Sequence, residues 1–491
     1  MRHGEMTPMR LKSSAGRWAV AAAVLGSGAV FLESTVMTVA LPAIGRDLDL
    51  GLAGLQWLLN AYLLPLSALI LLGGSLGDRY GRRRVFVVGL IGFATGSALC
   101  MVAPGFPTLV ACRLLQGIFG ALLVPNSLAI LDTLFAEEDR GAAIGQWAAW
   151  SSVSMALGPL VGGWLVDAFS WRWVFAVPVP FGLLALWIAA RRVPAAPARA
   201  QRGAPRHVDL GGATLVTLGL AALTWALITE PRRGWGDSLI LAASLGGLAL
   251  LGGFVLQEWR SPDPMLPLAL FRSRQFTGAN LVTLLVYAAL GGLFFLLMLQ
   301  LQNVLGYRAL RAGASLLPVS ALMLAISPAA GRLGQRLGPR WPIGVGAFVA
   351  GMGMLLLSRV QTGASYVGTV LPALIVFGLG LSVLVAPLTA AVLGAAEEGQ
   401  GGIASGVNNA VARLAGLLAT AALPLAAGMG GLRDPAGAAY GAGYARAMEI
   451  AGGLCFAGAL VAFVTIRRGA TVPAHRHPSL HHGCVELRAR T

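Results

Sequence analysis

Long apolar runs separated by short polar stretches recur along the whole chain. Each run holds the roughly 20 mostly apolar residues that a helix needs to cross a bilayer. The pattern therefore predicts an all-α polytopic membrane protein with 14 transmembrane helices, numbered here as spans 1 to 14. The predicted spans lie near residues 18–42, 53–74, 85–104, 107–131, 142–167, 172–190, 209–228, 237–256, 276–300, 312–331, 341–359, 366–394, 403–427 and 443–466.

The composition agrees with this fold class. Of the 491 residues 56% are hydrophobic and 11% are charged, whereas soluble domains carry about 25% charged residues. The net charge of +16 comes from arginines between apolar runs, so we assign it to topology and anionic lipid and expect no nucleic-acid partner. The cysteines lack metal-ligand spacing, and a lone histidine-rich tail is not typical of a metal site, so no metal is expected.

The arginines also orient the spans. An even number of spans places both termini on one side of the membrane. If that side is cytoplasmic, most of the 36 lysines and arginines fall in inner loops and tails, as the positive-inside rule requires. The chain is rich in Ala, Gly and Arg and has a single lysine, Lys12, which is typical of a GC-rich bacterial genome. We therefore expect a multi-pass protein of the bacterial plasma (inner) membrane.

A sequence repeat divides the chain. The segment GSLGDRYGRR (74–83) has a weaker copy, GRLGQRLGPR (331–340), and each follows a helix that leads to the predicted cytoplasmic side. Repeated six-helix halves are typical of transporters, so spans 7 and 8 are interpreted as an insertion between two halves. The predicted domains are an N-terminal tail (1–17), a six-helix bundle (18–190), a linker (191–208), two inserted helices (209–256), a second six-helix bundle (276–466) and a C-terminal tail (467–491).

Five short motifs lie in order along the first half of the chain. They are FLESTVMTVALP (31–42) in span 1, the segment 74–83 after span 2, RLLQGIFGA (113–121) in span 4, SMALGPLVGG (154–163) in span 5 and SWRWVF (170–175) before span 6. Together they resemble the motifs of the major facilitator superfamily, specifically its fourteen-span drug:proton antiporter branch. The resemblance covers nearly the whole chain and implies a multidrug efflux transporter driven by the proton gradient, with no bound cofactor.

The sequence departs from that branch at four positions. Glu33 stands where the span-1 motif usually has Asp, and Thr38 stands where it has Asn. Ser154 replaces the first Gly of the span-5 motif, and Pro178 follows the SWRWVF turn where Asn is usual. Glu33 still supplies a titratable carboxyl group, so proton coupling stays consistent with the resemblance.

Two ionisable residues deep in the spans are the candidate proton-coupling pair. Glu33 in span 1 and Arg113 in span 4 lie at similar predicted depth, and a charged side chain in a span usually faces a cavity or a partner. One interpretation is proton handling, with the two side chains facing each other. The alternative is a fixed ion pair that only joins spans 1 and 4.

The cytoplasmic hairpin after span 2 is the candidate conformational latch. By resemblance it holds the two halves together in the outward-open state, with Asp132 as a candidate partner. The alternative is that its arginines only fix topology and contact lipid, although this does not require an aspartate or the glycine spacing. The latch residues are Gly74, Asp78, Arg79, Gly81, Arg82 and Arg83.

Span 5 and the central aromatics supply the remaining candidates. Small residues recur every fourth position in span 5, which indicates either ordinary close packing or control of opening between the halves. Its motif residues are Ser154, Gly158, Pro159, Gly162 and Gly163. The candidate substrate cavity comprises Tyr62, Tyr287 and the deep Arg413 of span 13, which is interpreted as either structural or substrate-facing.

The function favoured by these observations is export of cationic or amphipathic drugs in exchange for protons, by alternating access. The expected partners are a drug-like small molecule, protons and membrane lipids, and the expected state is a monomer. No phosphate-binding G-x-x-x-x-G-K-[ST] motif and no nucleophile–base constellation occurs, so an enzyme is not predicted. The alternatives are a proton symporter that imports a small metabolite, which the span-5 motif argues against, and a non-transporting membrane sensor.

Overall fold

The computed structural model describes residues 9–194, 208–396, 401–430, 432 and 438–467. Most of the predicted linker and the C-terminal tail with its histidines lie outside the described residues. The described residues form 15 α-helices: α1 Ser14–Asp47, α2 Leu52–Tyr80, α3 Arg82–Met101, α4 Phe106–Leu134, α5 Glu137–Ala168, α6 Pro178–Arg192, α7 Leu210–Arg233, α8 Ser238–Arg260, α9 Arg274–Leu299, α10 Ala309–Ala314, α11 Leu317–Leu337, α12 Arg340–Leu357, α13 Leu371–Leu393, α14 Gly401–Ala426 and α15 Ala438–Thr465.

The helices confirm the predicted all-α membrane fold. Within the described ranges, 14 helical segments are long and apolar enough to cross a membrane, in the predicted order. Span 10 consists of two helices, the short α10 and then α11, and π-helical turns at Gln300–Val304 and Tyr366–Val370 end span 9 and begin span 12. Span 6, Trp171–Arg192, agrees with its predicted start; it opens with the 3-10 turn Trp171–Phe175, and Pro178 is the first residue of α6. Proline suits the first turn of a helix because the N–H groups of that turn have no acceptor within the helix, so the N–H that proline lacks costs no hydrogen bond.

The same arrangement of helices occurs twice. In the first group, α2 and α3 pack on α4, while α1 packs on α5 and α6. In the second group, α11 and α12 pack on α13, while α9 packs on α14 and α15. We call α1–α6 the first half and α9–α15 the second half.

The helices between the halves contact both of them. Helix α7 packs on α8, on α2 of the first half and on α14 of the second half. Buried Leu220 of α7 belongs to one apolar cluster with Leu64 of α2 and Leu417 of α14. The α7–α8 pair therefore covers the seam between α2 and α14 on one side of the molecule.

Hydrogen bonds join the halves at the end of the molecule that the sequence predicts to be outside. Asp167 at the end of α5 accepts hydrogen bonds from the backbone of α10. Gln302 donates to the Val39 carbonyl at 2.9 Å, and Gln56 donates to the Thr420 carbonyl at 2.8 Å. Toward the opposite end of α5, residues 145–150 are mostly exposed. The structure is thus a conformation in which the predicted outer end is closed.

Candidate functional site

Glu33 and Arg113 form an ion pair inside the first half. Arg113 Nη1 lies 2.6 Å from Glu33 Oε1, and neither residue is exposed. The predicted facing of spans 1 and 4 at this depth therefore agrees with the structure. Burial removes water as the competing partner, so each charge depends on the other for stabilisation.

A hydrogen-bond chain fixes the guanidinium of Arg113. Its Nη1 also donates to Gln116 Oε1 at 2.7 Å, and its Nε donates to the Leu58 carbonyl at 3.3 Å. Gln116 in turn donates to Ser97 Oγ at 2.6 Å. Gln116 and Ser97 were not among the predicted site residues. The detectable signal is that Gln116 follows Arg113 by three positions, which places both on one face of α4.

The carboxyl group of Glu33 is only partly satisfied. Its Oε1 accepts from Arg113, whereas its buried Oε2 has no hydrogen-bond partner in the described part of the chain. A carboxylate oxygen accepts hydrogen bonds, and a protonated carboxyl can also donate one. The arrangement thus holds the carboxyl group by one oxygen and leaves the other available for a proton.

Two of the predicted cavity residues lie close to this pair. The Tyr62 ring centroid is 4.4 Å from the guanidinium carbon of Arg113, and the Tyr62 hydroxyl donates to the Val30 carbonyl at 3.4 Å. Tyr62 is 1% exposed, so in this conformation it covers the ion pair instead of lining an open cavity. The guanidinium carbon of Arg413 lies 5.5 Å from the ring centroid of Phe31, which precedes Glu33 on α1 by two residues. The third cavity residue, Tyr287 of α9, is half-buried.

The predicted latch makes contacts within the first half. Asp78 and Arg82 form an ion pair at 3.0 Å. Arg82 also donates to the Ala129 carbonyl at 2.6 Å and contacts Thr133, both on α4. Arg83 donates at 2.6 Å to the carbonyl of Ala190 on α6. These bonds tie the α2–α3 turn to α4 and α6, and a contact between halves stays a prediction.

The remaining latch features concern backbone space and the candidate partner. Gly81 ends α2 at a φ of 96°, a conformation that favours glycine. A Cβ added at Gly74 would make ordinary van der Waals contact with Pro125 of α4, at 3.7 Å. The candidate partner Asp132 forms an ion pair with Arg140 at 3.5 Å.

The span-5 motif has two packing faces. Gly158 and Gly162 lie against Thr35 and Val36 of α1, so an added Cβ at either position would overlap that helix. Pro159 and Gly163 instead lie against α10 of the second half. Ser154 faces Gly28 of α1 and donates to the Trp150 carbonyl at 3.1 Å. The motif is therefore closely packed. Gly158 and Gly162 pack within the first half, whereas Pro159 and Gly163 pack across the boundary between the halves.

Comparison with known proteins gives consistent matches. The sequence profile described as Major Facilitator Superfamily matches residues 23–420. The chain is 36% identical over 403 residues to the tetracenomycin C resistance and export protein of Streptomyces glaucescens, covering 82% of this chain and 74% of that protein. It is 35% identical over 442 residues to the cephamycin export protein of Amycolatopsis lactamdurans, covering 88% and 90%.

Solved structures share the fold. A POT family transporter in complex with 5-aminolevulinic acid aligns with a TM-score of 0.68 at 15% identity, covering 92% of this chain and 97% of that chain. A bacterial homolog of the human lysosomal transporter Spinster, inward-facing and occupied, aligns with a TM-score of 0.65 at 17% identity, covering 94% and 100%. The profile match and the export-protein relatives together show that this multi-pass membrane protein belongs to the major facilitator superfamily and is a transporter, not an enzyme.

Proposed function

We propose that the chain exports drug-like amphipathic molecules in exchange for protons, by alternating access, and that Glu33 carries the proton. The observation behind this proposal is the buried Glu33–Arg113 pair, in which one carboxylate oxygen is held and the other has no hydrogen-bond partner among the described residues. A proton on Oε2 removes the negative charge that attracts Arg113. Arg113 keeps its contacts with Gln116, the Leu58 carbonyl and the Tyr62 ring, so it can stay in place while α1 is released.

Helix packing offers a route from this proton to the closure of the outer end. Glu33 lies on the same helix as Thr35 and Val36, which contact Gly158 and Gly162 of α5. Helix α5 then carries Asp167, which binds the backbone of α10 in the second half. A shift of α1 on protonation would move α5 against α10. Proton and substrate are coupled if they favour different arrangements of these helices.

The relatives support a drug-like substrate. The tetracenomycin C and cephamycin proteins are named as exporters, and a Streptomyces alboniger relative that is 36% identical over 411 residues is named as a puromycin resistance protein. By the same reasoning we propose a bacterial plasma membrane location with both termini cytoplasmic. We also propose that the chain acts as a monomer without a cofactor, with the proton gradient as the driving force.

A reconstituted transport assay tests the proposal. Proteoliposomes carrying the transporter are loaded with dye, and export is measured with and without an imposed pH gradient and with a protonophore. We expect the pH gradient to drive dye export in the wild type and the protonophore to abolish it. Glu33→Gln should lose the effect of the gradient while still binding dye. Glu449→Gln, the same change at an exposed position of α15, is the matched control.

Two outcomes would contradict the assignment. Gradient-driven export that survives in Glu33→Gln would place proton coupling at another residue. Dye that moves in the same direction as the protons would indicate import by symport.

A further inference from the structure

Arg413 is a second cation deep in a predicted span; it is half-buried and lies opposite the first half. It belongs to α14 of the second half, and its guanidinium faces the Phe31 ring of α1 at 5.5 Å. Its Nε is buried, and no described residue forms a hydrogen bond with it. Among the described residues, no carboxylate lies within ion-pair distance of Arg413, in contrast to Arg113 with Glu33.

The charges of Glu33, Arg113 and Arg413 do not balance. Glu33 is paired with Arg113, so Arg413 adds an uncompensated positive charge. The other buried carboxyl groups of the described ranges lie on or beside the inserted helices, at Asp209, Glu230 and Glu258. A cation within the membrane is costly and normally faces a partner or a cavity. An anionic group on a bound molecule would supply the missing partner.

Aromatic side chains line the opposite wall. The Phe31 ring lies 6.3 Å from the Trp147 ring in an edge-to-face contact, and Trp147 Nε1 donates to Ser27 Oγ at 2.6 Å. Phe31, Trp147 and Arg413 are all half-buried, so each keeps some exposed surface. A cation on one wall and flat rings on the other suit a planar aromatic molecule that bears an acidic group.

We propose that Arg413 binds the acidic group of the substrate and that the transporter prefers planar aromatic anions over cations of the same shape. This inference rests on the proposed drug export and specifies the charge of the substrate. A cationic substrate at this site would place a second positive charge beside Arg413, and the described part of the chain has no free carboxylate there to offset it. Because Arg413 and Phe31 belong to different halves, a bound anion would also contact both halves at once.

Two dyes of matched shape test the preference. Fluorescein and rhodamine 6G (called rhodamine below) share the planar xanthene ring, but at neutral pH fluorescein is an anion and rhodamine 6G, whose carboxyl group is esterified, is a cation. Binding to the purified full-length transporter in detergent is measured by fluorescence anisotropy, and export is measured in proteoliposomes. The variants are Arg413→Gln, which removes the charge, and Arg413→Lys, which keeps it. Arg446→Gln, at an exposed position of α15, is the control for loss of an arginine.

We expect wild type to bind fluorescein at least tenfold more tightly than rhodamine. Arg413→Gln should weaken fluorescein binding about tenfold or more and leave rhodamine binding unchanged or stronger, while Arg413→Lys keeps most of the preference. Equal loss of both dyes in Arg413→Gln with rescue of both in Arg413→Lys would show a structural role and overturn the proposal. So would a wild-type preference for rhodamine, or an unchanged preference in Arg413→Gln.

The two measurements separate this inference from the proposed function. If fluorescein binds in an Arg413-dependent way but no dye is exported under a pH gradient, the charge preference holds and proton-coupled export fails. If gradient-driven export occurs without dependence on Arg413, the export proposal holds and the charge preference fails.

Discussion

Asp167 of α5 caps α10 across the boundary between the halves: its Oδ1 accepts a hydrogen bond from the backbone N–H of Ala309 at 3.1 Å. Its Oδ2 accepts a second bond, from the next N–H along α10, at 2.9 Å. The first N–H groups of a helix have no partner inside it, and a negative charge there is favoured by the helix dipole. One carboxylate of the first half thus accepts hydrogen bonds from two backbone N–H groups of the second half that have no partner within α10.

Asp167→Asn should weaken closure of the predicted outer end. Asparagine carries no charge and replaces one of the two accepting oxygens by an NH2 donor, so one N–H of α10 loses its acceptor and we expect a loss of about 1–2 kcal/mol. That is roughly a tenfold shift away from the closed arrangement. Spin labels at Phe169→Cys and Thr362→Cys, on exposed positions of the two halves, report the distance in a cysteine-free background. The population of long distances should grow.

The control for that experiment is Asp49→Asn. Asp49 is exposed near the same end, and its φ of 49° is one that Asn tolerates. It should leave the distance distribution unchanged. An unchanged distribution in Asp167→Asn as well would show that closure does not depend on this cap.

Gly163 tests the same boundary by size instead of charge. A Cβ at this position would lie 2.6 Å from both the Ala309 carbonyl oxygen and the Leu310 Cα, and backbone atoms cannot rotate away. Gly163→Ala should therefore separate α5 from α10 and lengthen the same spin-label distance, at a cost of about 1–3 kcal/mol. Gly145→Ala on the same helix has open space around it and should have no effect. If the spin-label distances of both alanine variants match those of the wild type, α10 moves to accommodate the added methyl group and the prediction is wrong.

The sequence predicts some features of this fold and not others. The spans are predictable because a bilayer demands long apolar helices, whatever their packing. The break between α10 and α11 and the π-helical turn at Gln300–Val304 are not predictable in the same way. They lie in or beside apolar runs, and an apolar run alone does not indicate how its backbone hydrogen bonds are arranged.

The candidate site shows the same limit. The Glu33–Arg113 pair can be proposed from the sequence because charges inside spans are rare and need partners. The role of Asp167 could not be predicted in this way, because in the sequence an aspartate at the end of a helix looks like any other charged residue beside a loop. Its partner is a backbone group 142 residues away, and residue types carry no information about that pairing. The two packing faces of the span-5 motif cannot be predicted from the sequence for the same reason.

The buried ion pair should be far more sensitive to loss of one partner than an exposed pair. Arg113→Met leaves Glu33 buried without its cation, which costs about 3–5 kcal/mol of unfolding free energy. The double variant Glu33→Gln/Arg113→Met should recover part of this loss because no unpaired charge remains. Arg172→Met breaks the half-exposed pair with Asp47 and should cost no more than about 1 kcal/mol. Denaturant unfolding in detergent micelles is measured for the wild type, these three variants and the single variant Glu33→Gln, and additive effects in the double variant would argue against coupling within the pair.

The α2–α4 contact beside the latch offers a prediction with a close internal control. A Cβ at Gly77 would overlap Asn126 Oδ1. The Asn126 amide now donates to the carbonyls of Gly73 and Leu122, each at 2.8 Å. Gly77→Ala must displace this side chain, breaking both bonds where no water replaces them, so we expect a loss of about 1–3 kcal/mol.

Gly74→Ala lies one helical turn earlier on α2, and within the described ranges its added Cβ would contact Pro125 alone, at 3.7 Å. It should be neutral, or stabilising by up to about 1 kcal/mol, because alanine favours a helix over glycine. The unfolding midpoint of each variant in the same detergent provides the comparison. Equal midpoints for the two variants would mean that the α2–α4 contact adapts to the added methyl group. A large loss in Gly74→Ala alone would instead show that position 74 needs space in a conformation other than this one, as the predicted latch between the halves requires.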